Sequence, residues 1–413
     1  MKKALLVIPH SNEKDGWDIE DTKSELESLV ISVGVAVLDL MVCPLKEINV
    51  SYYIGKGKVY EISEKVKALE ADVVIFDCDL SPAQQRELEN IIEAKVIDRT
   101  QLILDVFARR AKSNEGKIQV ELAQLSYLLP RLSGKGISLS RLGGGIGTSG
   151  PGEQKLEIDR RRIKEKISRL KSNLDVLRCR RDNLRIQRRR HSLPLVSLVG
   201  YTNAGKSSLL NVVAKSNVKV DNRLFCTLDA VTRKLSLPNN QDVLLTDTVG
   251  FLHKLPHDLI ESFKATLEEV QGADLLIHVI DVSTHLLNEK FKSVNEILRE
   301  LGADKKPVIN VLNKIDQAQS RKCIEKIKGE FPNSATISCL TGEGLDNLMN
   351  LLIKKLNYLS TTIKLFIPFN RMDIVNEISE HGEILEKEFT EKGIDVRARI
   401  PKYMTDKIVK CET

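Results

Sequence analysis

Leu195-Val196-Ser197-Leu198-Val199-Gly200-Tyr201-Thr202-Asn203-Ala204-Gly205-Lys206-Ser207-Ser208 is the stretch that decides the fold. A short apolar run leads into a glycine-bounded loop, and Ser208–Ala214 then carries helical spacing. This is strand, turn and helix. Gly200 to Ser207 fits G-x-x-x-x-G-K-[ST], and the strand before it and the helix after it supply the context that pattern needs. The glycines let backbone N–H groups close on phosphate oxygens, helped by the positive end of the helix. Lys206 can neutralise β- and γ-phosphates, and the Ser207 hydroxyl can complete the shell of a Mg²⁺ ion. The loop predicts a doubly wound, mostly parallel sheet that binds a nucleoside triphosphate.

Downstream residues select the nucleotide. Strands are expected at Leu195–Val199, Val243–Thr246, Leu275–Ile280, Val308–Asn313 and Ala335–Ser338. Asn313-Lys314-Ile315-Asp316 ends the fourth of these. A carboxylate at Asp316 can accept hydrogen bonds from guanine N1–H and the 2-amino group. Adenine offers neither and would leave that carboxylate unpaired. Ser338-Cys339-Leu340, after the next strand, is placed to complete the base pocket. These residues select GTP.

Asp247-Thr248-Val249-Gly250 follows Val243–Thr246, so that the Asp247 carboxylate can reach Mg²⁺ through water and the Gly250 N–H can sense the γ-phosphate. Between the two motifs lies Phe225-Cys226-Thr227-Leu228-Asp229, where Thr227 is the best second hydroxyl ligand. The expected metal ligands are thus Ser207, Thr227 and Asp247, and the residues expected to act on the phosphate are Lys206, Thr227 and Gly250. Release of Thr227 and Gly250 after hydrolysis would relax both loops, which makes a switch. Phe251 stands where Ras-like switches carry the glutamine that orients the attacking water. A phenyl ring cannot hydrogen-bond water, so slow intrinsic hydrolysis is expected, with a partner or a cation completing catalysis. Asn203 is similar to the asparagine of potassium-assisted GTPases and makes K⁺ a candidate cofactor. His253 and His257 lie nearby without an acid to orient either, and read as solvent-exposed loop histidines.

Four segments follow from the chain on either side. Residues 1–98 alternate apolar β-like runs (Ala4–Pro9, Ala36–Cys43, Val73–Asp77, Val96–Asp98) with helical stretches, a small α/β layer. Residues 99–192 read as a long antiparallel helical hairpin. Thr100–Leu132 is mostly helical, residues 133–152 hold eight glycines, and helix resumes at Glu153. Leu156, Ile163, Leu170, Leu177 and Leu184 recur every seven residues, with Ile167 and Leu174 in a second stripe. Such a seam wants a partner helix, and the preceding helix is the nearest. A monomer is expected on that ground. Residues 193–359 form the nucleotide-binding domain, and 360–413 a small C-terminal α/β domain. Gly55-Lys56-Gly57-Lys58 reads as a basic turn before a helix rather than a second anion site.

Charge is concentrated in the second segment. Lys155 to Arg190 holds fifteen Lys or Arg and five acids, a balance of +10 within a chain of net +6, which leaves −4 for the remainder. A polyanion would feel this element and not the whole molecule. Eighteen aromatic residues in 413 argue against a protein built to stack on unpaired bases. Seven scattered cysteines without a C-x-x-C pair read as reduced intracellular thiols rather than a disulfide framework or a zinc site. No apolar run reaches the length of a membrane span.

Taken together, the phosphate loop, Thr227, Asp247–Gly250 with Phe251, Asn313–Asp316 and Ser338–Leu340 resemble a TRAFAC-class GTPase. The HflX family in particular is suggested by residues outside these motifs. They are Gly55–Lys58, the run Arg141 to Glu153, Asp159–Arg162, Leu255-Pro256 and Ala265–Glu269. Cys226, where relatives carry alanine, is a mild departure. The resemblance covers nearly the whole chain. It implies a cytoplasmic GTPase that binds the large ribosomal subunit, splits stalled or idle ribosomes, and reaches ribosomal RNA with its glycine-rich tip. A basic hairpin ending in a backbone-rich loop suits RNA phosphate and shape contacts. The competing readings are an ATP-fuelled RNA-remodelling protein, which requires an ATP site in the N-terminal domain, and a tRNA-modification or ribosome-assembly GTPase. Modification would need a cofactor domain or a C-terminal cysteine motif, and Cys411 has no supporting motif.

Overall fold

A computed structural model describes residues 2–11, 17–132, 151–190, 193–214, 225, 230–254, 256, 264–318, 320–331, 333–357, 360–401 and 404. The chain separates into two compact units. The first comprises Met1–Arg178 with Arg223–Leu228 and Lys254–Lys264, and the second Cys179–Asn222, Asp229–His253 and Ala265–Thr413.

The first unit opens with β1 (Lys3–Ser11), α1 (Ile19–Ser32), β2 (Ala36–Leu45), α2 (Lys56–Leu69), β3 (Val73–Phe76), α3 (Pro82–Ile92) and β4 (Lys95–Ile97). The strands form a parallel sheet in the order β2-β1-β3-β4. Parallel strands are covered on both faces, which is why Ala4–Ile8 and Val73–Phe76 are continuously apolar and buried. Local chemistry sets the helix ends. Ser81 accepts from the Gln84 N–H while the Gln84 side chain accepts from the Ser81 N–H, and Pro82 fills the first turn.

The stretch expected to run helically from Thr100 to Leu132 is two helices, α4 (Arg99–Arg110) and α5 (Asn114–Arg131). The break lies where Ala111 turns extended and Ser113 caps the new helix by accepting from the Gly116 N–H. Then α6 runs unbroken over Pro151–Arg190, about 60 Å at the usual helical rise. Its seam is graded: Leu170 is buried, while Ile163, Ile167, Leu174 and Leu177 are partly covered. An ion pair between Lys166 and Glu121 ties α6 to α5. The expected glycine-rich tip at 133–150 lies outside the described residues.

The second unit contains β5 (Leu195–Gly200), α7 (Lys206–Ala214), β6 (Val231–Ser236), β7 (Asp242–Asp247), α8 (Lys264–Gly272, from its second residue), β8 (Leu275–Asp281), α9 (Leu287–Glu300), β9 (Val308–Asn313), α10 (Arg321–Glu330), β10 (Ser334–Thr336) and α11 (Leu345–Leu356). Six strands are ordered β10-β9-β8-β5-β7-β6, all parallel except the β6 edge, which pairs antiparallel with β7. Sequence reading finds every member but β6, whose alternation is masked by Arg233 and Lys234 on an open edge. Leu198, Leu209, Leu245, Ile277, Val311 and Leu352 belong to the main core of this sheet. Last come β11 (Ser360–Pro368), α12 (Met372–His381), β12 (Glu383–Phe389) and β13 (Gly393–Pro401), an antiparallel sheet ordered β11-β13-β12. Ile367, Ile378 and Val396 lie in the core shared by this sheet and α12. The α/β class and the doubly wound sheet are as the phosphate loop predicts.

Candidate functional site

The site is assembled at the carboxyl ends of β5, β7 and β9, where an open parallel sheet leaves its crevice. Gly200, Tyr201, Thr202, Asn203, Ala204 and Gly205 make the turn from β5 into α7. Asn203 lies in the left-handed region at φ 60°. Gly205 cannot be replaced without strain: its φ is 99°, and a Cβ there would meet the Asn313 amide nitrogen at 2.2 Å. Asn313 is a clamp. Its Nδ2 donates to the Ala204 carbonyl at 2.9 Å, and its Oδ1 accepts from the Cys339 N–H at 3.1 Å. One buried amide thereby joins the phosphate loop to the loop after β10, by contacts that N-K-x-D does not announce.

Lys206 is 6% exposed, and its Nζ donates to the carbonyls of Gly200 and Tyr201 at 3.1 and 2.8 Å. Ser207 Oγ donates to Asp247 Oδ2 at 2.6 Å, so a hydroxyl and a fully buried carboxylate from different elements stand together. That hard-oxygen pair fits Mg²⁺, which takes one or two protein oxygens and keeps waters. Thr248 turns its hydroxyl inward to the Leu198 carbonyl at 2.6 Å, and Val249 is buried. Gly250 lies close against the phosphate loop. A Cβ on it would be 2.9 Å from Thr202 Cα and 3.0 Å from Lys206 Nζ. Phe251 is 1% exposed; its N–H donates to Gly200 O at 3.1 Å and its carbonyl accepts from the Thr202 N–H at 2.8 Å.

Beyond β9, Asp316 Oδ1 accepts from Ser338 Oγ at 2.6 Å. The same hydroxyl oxygen accepts from the N–H groups of Leu340 and Thr341, both at 3.2 Å. Lys314, at φ 66°, pairs with Asp281 at 2.7 Å, a partner the motif reading missed. Ile315 donates its N–H to Ile337 O at 3.4 Å. Burial, with Asp316 alongside, pushes the Cys339 thiol up to about 12, so it is a neutral packing group at ordinary pH. Leu340 is 82% exposed.

Some expected residues are not brought into this assembly. Cys226, Thr227, Leu228 and Asp229 lie outside the described residues, as does the loop position of His257. Phe225 groups with the first unit, where its ring meets Phe107 edge-on at 4.6 Å. His253, expected to be a solvent-exposed loop residue, is half-buried, and its N–H donates to Tyr201 Oη at 2.8 Å. One further histidine has a role in packing that the sequence does not signal. His278, on β8, is buried and stacked on Phe291 at 5.0 Å, and desolvation lowers its pKa to about 3. Gly55 is the N-cap of α2, and Lys56, Gly57 and Lys58 form its first turn, with Lys58 paired to Glu61 at 2.6 Å; the expected turn before a helix is the start of the helix itself.

A phosphate-type loop, a hydroxyl–carboxylate pair and an Asp–Ser base clamp on a doubly wound sheet define a P-loop GTPase. Comparison with known proteins gives the particular family. Residues 20–108 match the family described as GTP-binding GTPase N-terminal, 110–188 the GTP-binding GTPase Middle Region, 195–314 the 50S ribosome-binding GTPase, and 323–408 the HflX C-terminal domain. GTPase HflX of Caldanaerobacter subterraneus subsp. tengcongensis is 45% identical over 97% of this chain and 91% of its own length. GTPase HflX of Escherichia coli is 44% identical over 86% and 83% respectively. Among solved structures, a GTP-binding protein of Sulfolobus solfataricus in complex with GDP is 27% identical, covering 87% of this chain and 100% of that one at a TM-score of 0.45. The chain belongs to the HflX family, and it is a GTPase.

Proposed function

We propose that this GTPase binds the large ribosomal subunit and splits stalled or idle ribosomes into subunits, with α6 and the 133–152 tip contacting ribosomal RNA. The observation that carries the reading is the charge of α6. Arg161, Arg162, Lys164, Lys166, Arg169, Lys171, Arg178 and Arg180 are all exposed on one long helix, whereas the rest of the chain is net negative. An electrostatic element of that kind holds RNA by its phosphates. The description of the matched 195–314 family as ribosome-binding supports the same partner.

The chemistry rests on the sequence motifs, and the contacts of Lys206, Ser207, Asp247 and Asp316 support it. Gly200–Ser207 wrap the phosphates, Lys206 leaves its two carbonyl partners for the β- and γ-phosphates, and the Gly250 N–H holds the γ-phosphate. Ser207 and Asp247, with Thr227, would hold Mg²⁺, which would supply charge neutralisation on those phosphates. Phe225–Asp229 form the first switch and Asp247–Gly250 the second. Asp316 reads guanine with Asn313, Lys314, Ile315, Ser338, Cys339 and Leu340 forming the pocket. Phe251 contributes no hydrogen bond from its side chain, so turnover is slow until the ribosomal subunit or K⁺ at Asn203 completes the site. The working division of the chain is 1–98, 99–192, 193–359 and 360–413, and the free protein is a cytoplasmic monomer. Among the described residues no helix is long and apolar enough to cross a membrane.

Sedimentation of 70S ribosomes with the protein and GTP tests the reading. Conversion of 70S particles to subunits is expected, and co-migration of the protein with the large subunit. Intact 70S particles at saturating protein would remove the splitting assignment.

A further inference from the structure

Tyr201 occupies a variable position of the phosphate-loop pattern, and the motif asks nothing of its side chain. Among the described residues, that side chain meets His253 and Lys290 outside the loop. Its hydroxyl oxygen accepts the N–H of His253 at 2.8 Å. Its ring lies under the Lys290 ammonium of α9, 5.3 Å from the centroid, and Lys290 is itself held by Thr284 Oγ1 at 3.1 Å. Thr284 also accepts the N–H of Leu286 at 3.3 Å, which fixes it at the entrance to α9. The ring is 7% exposed, so its orientation is set by packing.

His253 is three residues beyond Gly250. The backbone between them is bound at both ends: Phe251 exchanges hydrogen bonds with Gly200 and Thr202, and His253 is held by Tyr201. The segment that carries Gly250 is therefore laid against the phosphate loop as a short parallel bridge closed by one tyrosine hydroxyl. Placement of this backbone matters more here than in switches with a glutamine, because Phe251 offers its reaction only main-chain groups.

We infer that Tyr201 is a positioning residue for GTP hydrolysis. Its hydroxyl, oriented by Lys290, holds the His253 amide and so fixes Gly250 at the distance from Lys206 at which its N–H meets the γ-phosphate. The inference rests on the assignment of Lys206 and Gly250 to that phosphate. A single neutral hydrogen bond gives an effect of about 3- to 10-fold, the range expected when one such bond is removed.

The experiment compares the full-length protein with Tyr201→Phe, which keeps the ring and removes the hydroxyl, and with Lys290→Met, which keeps the hydroxyl and removes the cation. Steady-state GTP turnover with Mg²⁺, GDP affinity by titration and amide hydrogen exchange of the peptide covering His253 are measured on all three. For Tyr201→Phe, kcat falls about 3- to 10-fold, exchange at His253 accelerates by a similar factor, and KM and the GDP Kd stay within two-fold. Lys290→Met moves kcat and exchange the same way by a smaller factor. Unchanged exchange at His253 in Tyr201→Phe, or a loss of GDP affinity as large as the loss of kcat, overturns the inference. Should Tyr201→Phe not fold, an unchanged kcat and exchange in Lys290→Met overturns it alone. Lys206→Ala is the control for the underlying assignment: retained turnover there sinks the phosphate-site reading itself, whatever the tyrosine variants do.

Discussion

Two sheets in this molecule, one parallel and one parallel but for its β6 edge, place buried polar groups at the carboxyl ends of their strands and use them in opposite ways. In the first unit those groups close on one another. Arg99, 3% exposed, binds Asp77 and Glu25; Asp98 binds Arg131 at 3.0 Å and accepts the Gln101 N–H at 2.8 Å; Thr100 binds Asp79. Charges satisfied in this way brace β3, β4, α1 and α5. In the second unit Ser207 bonds to Asp247, Ser338 to Asp316, and Asn313 to the Ala204 carbonyl and the Cys339 N–H, so that these groups are arranged around the glycine-bounded loop from Gly200 to Gly205. Glycine makes the difference. The first sheet has Asp77-Cys78-Asp79 and Asp98-Arg99-Thr100 at its strand ends, and the second has Gly200 and Gly205. Buried charge alone marks a brace. Buried charge around a glycine turn marks a site.

The sharpest way to break this comparison is to disable one sheet at a time. Lys206→Ala should lower GTP turnover by at least about 100-fold in a phosphate-release assay, the scale for a phosphoryl-site cation, while leaving the urea midpoint within about 1 M of the parent. Arg99→Met should do the reverse. Removing one partner of a buried ion pair costs about 3–5 kcal/mol, read as an early unfolding transition in urea, with GDP affinity retained. If Arg99→Met abolished nucleotide binding and left stability intact, the brace reading would fail.

Asp316→Asn sharpens the chemical side. Preference should move from guanine towards xanthine nucleotides by about 10- to 100-fold in competition binding, and unchanged selectivity would remove Asp316 from the base pocket. A smaller effect is expected of Arg188, Arg189 and Arg190 replaced together by Glu. Affinity for the large subunit should fall and the slope of log K against log salt should flatten by about two. Equal affinity and slope would make those charges mere solvation.

The smallest effect concerns pH. His278 is held neutral by burial, with a folded pKa of about 3 against an ordinary 6.5. A depressed pKa means that the unfolded chain binds the proton first. Stability is therefore complete above about pH 6.5 and declines below it by up to about 1.4 kcal/mol per unit until about pH 3. His278→Phe should remove that increment from the urea-unfolding profile between pH 6.5 and 5; an identical slope in the variant would show that other groups titrate there.

Much of this organisation was legible because it is local. Parallel strands buried on both faces announce themselves as Val, Ile and Leu runs, and the phosphate loop must be contiguous to wrap a phosphate. The break at Ala111–Ser113 could have been found from Ser113 as a cap, but helical periodicity on either side overrode it. What stayed hidden depends on tertiary approach. No spacing rule relates Asn313 to Ala204, Lys314 to Asp281 or Tyr201 to His253, since each pair meets only when the sheet has formed. Strand β6 escaped for a different reason. An edge strand exposes most of its side chains and is allowed lysine and arginine where a central strand is not.

Whether the ribosome activates this GTPase is decided by GTP turnover of the purified protein, alone and with purified large ribosomal subunits, in potassium and in sodium. Slow turnover alone and a large stimulation by the subunit are expected, because the buried Phe251 side chain cannot order the attacking water. Turnover that the subunit fails to raise in either salt would separate the GTPase from the ribosome and leave Phe251 without the partner proposed for it.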